Sequence, residues 1–519
     1  MIPPSAPPAA PSPLVPPGVP PGAGPDRLLP PAAPGTHHPP PPDPGHFAPT
    51  PQMGGPLIVT SAGSTLVATD GMRAAIERSA EVGRMLSRAL TAVHRAELVA
   101  HAPRLDGVEH AIRSGATTAE HLERGLREAV ARYSASEHAA ATAFDRLAAV
   151  DGALAGQAIR FAAPGAFGLA LSFGLPLAGG TALAALLVKL RGGDPDAGAA
   201  LGRFLVAHPQ LTSNPRFVAF VRGFADGMDE GTLTLAGVPP LAALALGATG
   251  RTGVSTSAGV LMGTGPRFGL LEESPVDVQR VGRQPVAAPP VGAAQRLARV
   301  PEGDQVRIER YSAPGRSDRF VVYVGPTETF DPKPKGEPWD LASNVGGVGG
   351  IDVGSIRATE LAMKDAGIAP GSEVQLVGFS QGGMVATRIA ADGHWNAVGL
   401  QTFGAPAGNV ALPDGIRGMA VRNSEDFIPP LAGPQVDDHL LQVQRTVYAD
   451  PSRMPTDQAA PGHQRVAYAA TAQAIDAARS GDVRAQSDAL DSFTGDYADQ
   501  PGSSITAYSY HADRRDGAE

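Results

Sequence analysis

The chain has 519 residues, a formal net charge of −9, 43% hydrophobic residues and no cysteine. Such a length gives room for about three domains and enough apolar material for a core. The acidic balance provides no basic stripe for phosphates and so argues against nucleic acid as a partner. Without cysteine there are no disulfides, no thiol catalysis and no thiolate-held metal, while the compartment stays open. Aromatic residues are only 5%, so small residues must carry much of the packing.

Residues 1–56 form a proline-rich tail that has too little apolar surface to bury and is expected to be disordered, with polyproline II character. No charged segment leads into an apolar run there, so no Sec-type signal peptide is expected. His37 and His38 are adjacent but lack further ligands, and they read as tail composition rather than a metal site.

Residues 57–150 read as a helical hairpin region, with helical periodicity from Asp70 to about Val150. Met72, Ile76, Leu86, Leu90 and Val93 fit one face, and Leu122, Leu126, Val130, Tyr133, Phe144 and Leu147 fit another. Thr117-Thr118-Ala119-Glu120 offers a capping box for the second helix. The two amphipathic helices make a hairpin that must bury its stripes on itself or on a helical partner. Tyr133 and Glu137 stand four apart, on one helical face. A helical pair ending in Y-x-x-x-E resembles substrates of type VII secretion, although the W-x-G turn of the small members is absent. That resemblance implies the secretion machinery as a partner and a secreted or envelope location without a Sec signal. The alternative is Tyr133 as a core residue and Glu137 as a solvated one, in a cytoplasmic protein.

Residues 151–245 are a helical region rich in small residues. The uncharged stretch 161–188 is long enough to span a bilayer, but Pro164, Gly165, Gly168, Gly174, Pro176, Gly179 and Gly180 break it into short pieces. A buried helical pair or contact with a membrane surface is the expectation for it. Residues 246–297 read as a loose connector, and a sheet-forming domain is expected over 298–519, with early strands at Gln305–Tyr311 and Phe320–Val324.

Within that domain an apolar run, Glu373–Phe379, ends in Gly378-Phe379-Ser380-Gln381-Gly382, and a helical pattern follows over Met384–Ala391. A serine at a tight strand-to-helix turn sits in a strained conformation, and glycines two before and two after let strand and helix pass closely. Such a turn exposes the serine Oγ and aims the Gln381 N–H at the place where an oxyanion would form. The strand Gly418–Asn423 runs into Ser424-Glu425-Asp426, which places Asp426 beyond a strand's carboxyl end, on the edge where Ser380 lies. Asp414, Asp437 and Asp438 are rival acids, but none directly follows a convincing strand. His463 lies in a turn that opens a helix after the acid. His439 competes with it, and His394, which precedes the acid, is the weakest choice of base.

Gly378 to Gly383, Thr402-Phe403-Gly404-Ala405-Pro406, Asn423 to Pro429 and Gly462-His463 together resemble the serine, acid and histidine blocks of α/β-hydrolase serine esterases of the cutinase and lipase kind. The resemblance implies a mostly parallel sheet flanked by helices and a Ser380–His463–Asp426 triad cleaving carboxylic esters, lipid or acyl, through an acyl-enzyme with no metal or organic cofactor. The His-Gly-Gly-Gly oxyanion motif of many lipases is missing. In its place stands Gly325-Pro326-Thr327; Pro326 has no N–H, so Thr327 is the second donor and Gly325 the alternative. Acyltransferases and thioesterases use the same triad. A reading of another class is a non-catalytic secreted interaction protein with a relic hydrolase domain, and the intact Ser, Asp, His order counts against it.

Overall fold

The computed structural model describes residues 25–32, 57–61, 64–66, 70–100, 109–125 and 271–515, with breaks at 331–335, 434, 436–439 and 449–450, and scattered single or paired residues between 128 and 266. Tyr133, Glu137, the stretch 161–188, His37, His38, Asp437, Asp438 and His439 lie outside the described residues. No helix among the described residues is long and apolar enough to cross a membrane.

The chain is α/β. In chain order the elements are β1 (Arg27–Leu29), β2 (Leu57–Ser61), β3 (Ser64–Leu66), α1 (Asp70–Ala100), β4 (Val276–Pro285), α2 (Gly292–Arg299), β5 (Val306–Ser312), β6 (Arg319–Val324), α3 (Leu341–Val348), α4 (Gly354–Asp365), β7 (Glu373–Phe379), α5 (Gln381–Asp392), β8 (Asn396–Phe403), β9 (Arg417–Asn423), β10 (Leu441–Arg445), α6 (Arg465–Asp476), α7 (Gly481–Ala498) and β11 (Ser504–Arg514). The strands form one eleven-stranded sheet in the order β1-β4-β11-β5-β6-β7-β8-β9-β10-β2-β3. Strands β6 to β10 run parallel to one another. On one side of this block β11, β5 and β4 alternate in direction, and on the other β2 and β3 return antiparallel.

Alternation along each strand decides which helices cover which face. Val322 and Val324 of β6 and Leu376 of β7 belong to a core with Ala358 and Met363 of α4 and Val385 and Ile389 of α5. Their neighbours Val321, Tyr323, Val377 and Phe379 join the opposite core with Leu297 of α2, Tyr468 and Ala472 of α6, and Phe493 of α7. A parallel block needs both faces covered, and here it has them.

Three expectations about where strands lie change. The tail is ordered at 25–32: β1 adds to β4 in parallel, Val276 N–H donates to Asp26 Oδ1 at 2.8 Å, and Arg357 Nε donates to Asp26 Oδ2 at 3.1 Å. The loose connector expected over 246–297 contains β4 and the start of α2, so the sheet unit begins well before residue 298. Val276 and Val278 alternate inward in β4, a short pattern hidden among glycines, prolines and charges. The region 57–150 opens with the β2–β3 hairpin rather than a helix.

Helix α1 follows, and residues 109–125 are helical, with Ser79 Oγ donating to the Ala119 carbonyl at 2.8 Å. Thr117 and Thr118 are therefore inside a helix, not at its cap. Their hydroxyls donate back to Arg113 and Ser114 carbonyls at 3.0 and 2.8 Å, the bond a mid-helix threonine makes.

Candidate active site

Ser380 sits between β7 and α5 with φ 55° and ψ −124°, a left-handed conformation for a residue that carries a Cβ. The bend is held by Ser380 N–H donating to Phe403 O at 2.8 Å and Gly383 N–H donating to Ser380 O at 3.0 Å. Its glycines are required by approach: a Cβ on Gly378 would lie 2.2 Å from the Gly382 carbonyl oxygen, and one on Gly382 would lie 2.1 Å from that of Val324. As the first residue of α5, Gln381 has an N–H with no intrahelical acceptor.

Because β7, β8, β9 and β10 are parallel, the segments that follow β7, β9 and β10 leave the sheet at one edge. Ser380 follows the first, Asp426 the second, and His463 lies in a 3-10 turn, Pro461–His463, between β10 and α6. His463 Nε2 is 2.8 Å from Ser380 Oγ, and Nδ1 is 2.7 Å from Asp426 Oδ2. An ionised carboxylate can only accept, so Nδ1 carries the proton and Nε2 is left to accept from the serine hydroxyl. The Phe379 ring stacks on the imidazole at 5.3 Å and 23°, fixing its plane.

The acid is buried. Its Oδ1 accepts Ile428 N–H at 2.9 Å, and its Oδ2 accepts from Tyr468 Oη at 2.7 Å as well as from His463. Asn423, the last residue of β9, joins the acid and histidine loops: its Nδ2 donates to Gly462 O at 2.8 Å, and its Oδ1 accepts Thr471 Oγ1 at 2.7 Å. A Cβ on Gly462 would meet the Glu425 carbonyl oxygen at 2.6 Å, so the two loops touch backbone to backbone.

On the other flank of the serine, β6 and β7 pair Val324 with Gly378, and Gly325-Pro326-Thr327 leaves the sheet there. Gly325 N–H donates to Gln305 O at 2.8 Å, which removes Gly325 as an oxyanion donor. Thr327 Oγ1 accepts Asn344 Nδ2 at 3.0 Å, a bond that leaves the hydroxyl proton for another acceptor. The Gln381 side chain donates to the Asp340 carbonyl at 3.2 Å. Asp340 caps α3 through Ser343 N–H at 2.7 Å and accepts Arg514 Nε at 2.8 Å. Burial raises the Asp340 carboxyl above its ordinary value, against the pull of Arg514.

The rival groups within the described residues lie elsewhere. His394 and Asp414 stand before β8 and β9, at the opposite edge, and His394 packs edge-on against Trp395 at 4.9 Å. Tyr468, Asp340 and Arg514 carry no motif, and only the fold connects them to the serine; Asn423 opens the acid block, but its bonds to Gly462 and Thr471 appear only in the fold. Comparison with protein-family models, curated proteins and solved structures finds no match for this chain.

Proposed function

We propose that the chain is a serine hydrolase of carboxylic esters, with an α/β-hydrolase domain that begins near residue 271. The observation that carries this reading is the pair of hydrogen bonds, 2.8 and 2.7 Å, joining Ser380, His463 and Asp426 across separations of 83 and 37 residues. The chain order Ser, Asp, His, with the serine on a sharp turn after a middle strand of a parallel block, supports the same fold.

In this mechanism His463 Nε2 takes the Ser380 proton as Oγ attacks the ester carbonyl carbon, and Asp426 holds the imidazole in the tautomer that permits it. The Gln381 N–H and Thr327 donate to the tetrahedral oxyanion. Collapse breaks the bond to the alkoxy oxygen, which leaves as the alcohol with the proton from Nε2. Water then repeats the sequence on the acyl-enzyme, returning the acid and free Ser380.

The test is labelling of the full chain with a fluorophosphonate, together with hydrolysis of p-nitrophenyl esters of graded chain length. Label on Ser380, and a loss of about 10⁴-fold or more in turnover for Ser380→Ala, is the expected result. A wild-type chain that neither labels nor hydrolyses, or a label that persists in Ser380→Ala, would overturn the reading.

A further inference from the structure

The Asp426 carboxylate has a partner that the proton relay does not require. Its Oδ2, the oxygen facing the imidazole, accepts a second hydrogen bond from Tyr468 Oη, at the same 2.7 Å as the bond from His463 Nδ1. Tyr468 is on the first turn of α6 and fully buried, and neither its ring nor its hydroxyl has room to turn away. The ring meets Phe379 edge-on at 5.6 Å and 61°, Phe403 at 6.5 Å and 80°, and the His463 ring at 6.2 Å and 83°. It also lies 3.0 Å from where a Cβ on Gly404 would stand, at a position whose φ of +63° already favours glycine. The hydroxyl in turn accepts Asn423 N–H at 3.2 Å, so its own proton is directed at the acid.

We propose, resting on the hydrolase reading above, that Tyr468 is a positioning residue of the relay: by donating to the Asp426 oxygen that faces His463, it takes up part of that oxygen's negative charge and keeps the imidazole less basic than Asp426 alone would leave it. A carboxylate beside an imidazole favours the imidazolium, and a second donor on the same oxygen weakens that preference. A general base works best with a pKa close to the operating pH, so restraining the imidazole keeps more of it in the neutral, proton-accepting form. The phenol suits this role because burial and the charge of Asp426 push its pKa well above the ordinary tyrosine range, and it remains a donor.

The other charged and titratable groups around the pair are already engaged. The Glu425 carboxylate accepts Val447 N–H at 3.1 Å, Tyr448 N–H at 2.7 Å and Ser424 Oγ at 3.0 Å. Tyr448 Oη donates to Pro461 O at 3.3 Å. Arg422 donates to Gln444 at 3.1 Å, and Arg465 pairs with Glu302 at 3.1 Å. A change confined to the Tyr468 hydroxyl leaves each of these contacts in place.

The readout is the pH dependence of the fluorophosphonate labelling rate on the full chain, whose midpoint reports the free base and needs no knowledge of the natural ester. Tyr468→Phe is expected to raise that midpoint by about 0.5–1 pH unit, and 3-fluorotyrosine at position 468, a stronger donor of nearly the same shape, to lower it by a few tenths. A purely structural role would not move the midpoint in opposite directions. An unchanged or lowered midpoint in a folded Tyr468→Phe chain overturns the proposal. Should that variant fail to fold, an unchanged or raised midpoint for 3-fluorotyrosine overturns it instead. A wild type that does not label at any pH removes the hydrolase reading itself and the proposal with it, an outcome distinct from labelling with an unmoved midpoint.

Discussion

At Ser380 the backbone is held in a region that costs on the order of 1–3 kcal/mol for a residue with a Cβ. Such a conformation persists only where its surroundings over-determine it, and here the two flanking glycines make that possible. Gly382→Ala would drive a methyl against the Val324 carbonyl, which belongs to a central strand and cannot yield. Thermal unfolding of that variant should show a loss of several kcal/mol or no folded protein at all. Gly393, at the other end of α5 with φ 72° and open space around it, is a control: Gly393→Asn should shift the unfolding midpoint by no more than about 2 °C, since asparagine tolerates this conformation. Thr327→Val keeps the shape and removes the hydroxyl. If that hydroxyl donates to the oxyanion, p-nitrophenyl ester kinetics should show kcat reduced about 10²–10³-fold with little change in KM.

Among the elements, β1 is a short edge strand of the sheet, as β3 is at the other edge. It has three residues, exposed along its length, and pairs on one side only. What retains it is polar: Asp26 bridges Val276 N–H and Arg357, Gln279 Nε2 donates to Pro30 O at 2.8 Å, and Ala32 N–H donates to Arg280 O at 2.9 Å. Asp26→Ala should therefore speed amide hydrogen exchange at the β1 N–H that points at β4 by at least about tenfold. Exchange in β6 and β7 should be unaffected, because a short edge strand opens without the core. Equal acceleration across the sheet would show instead that β1 is part of one cooperative unit.

On the scale of the whole molecule, Arg514 ties distant parts together. Its guanidinium bonds Glu273 at 2.9 and 3.1 Å and Asp340 at 2.8 Å, joining the end of β11 to the segment before β4 and to the cap of α3. All three side chains are buried. Arg514→Leu leaves the buried Asp340 carboxylate without a cation and Glu273 with Arg357 alone, and denaturant unfolding should show a loss of about 3–5 kcal/mol. The pH dependence follows from burial, which already raises Asp340 above its ordinary value even with the arginine present. Carboxyls whose folded pKa exceeds the unfolded one bind protons on folding, so stability falls as pH rises through that interval. The deficit of Arg514→Leu should accordingly be larger at neutral pH than in mild acid.

The local pieces of the candidate site could be found without coordinates because each is dictated by its own neighbourhood. A strand-to-helix turn tight enough to expose a serine needs glycine at positions 378 and 382, the acid block follows a strand with visible alternation, and the histidine lies in a turn that opens a helix. The choice between Gly325 and Thr327 was not local. It rests on a bond from Gly325 N–H to Gln305, twenty residues back in the chain, where the antiparallel β5–β6 ladder continues one pair beyond Val306 and Val324. Tyr468 on Asp426 and Arg514 on Glu273 are contacts between residues 42 and 241 positions apart, and no periodicity or motif records such pairs. The same holds for β1 and β4: three residues in a proline-rich tail and a charged stretch with glycine and proline become strands because each finds an edge to pair with. Sequence alone determined which side chains could carry the chemistry and in what order, since short-range sterics and alternation act within a few residues. Tertiary structure decided what holds them, since hydrogen bonds and ion pairs in a buried site depend on which strands become neighbours.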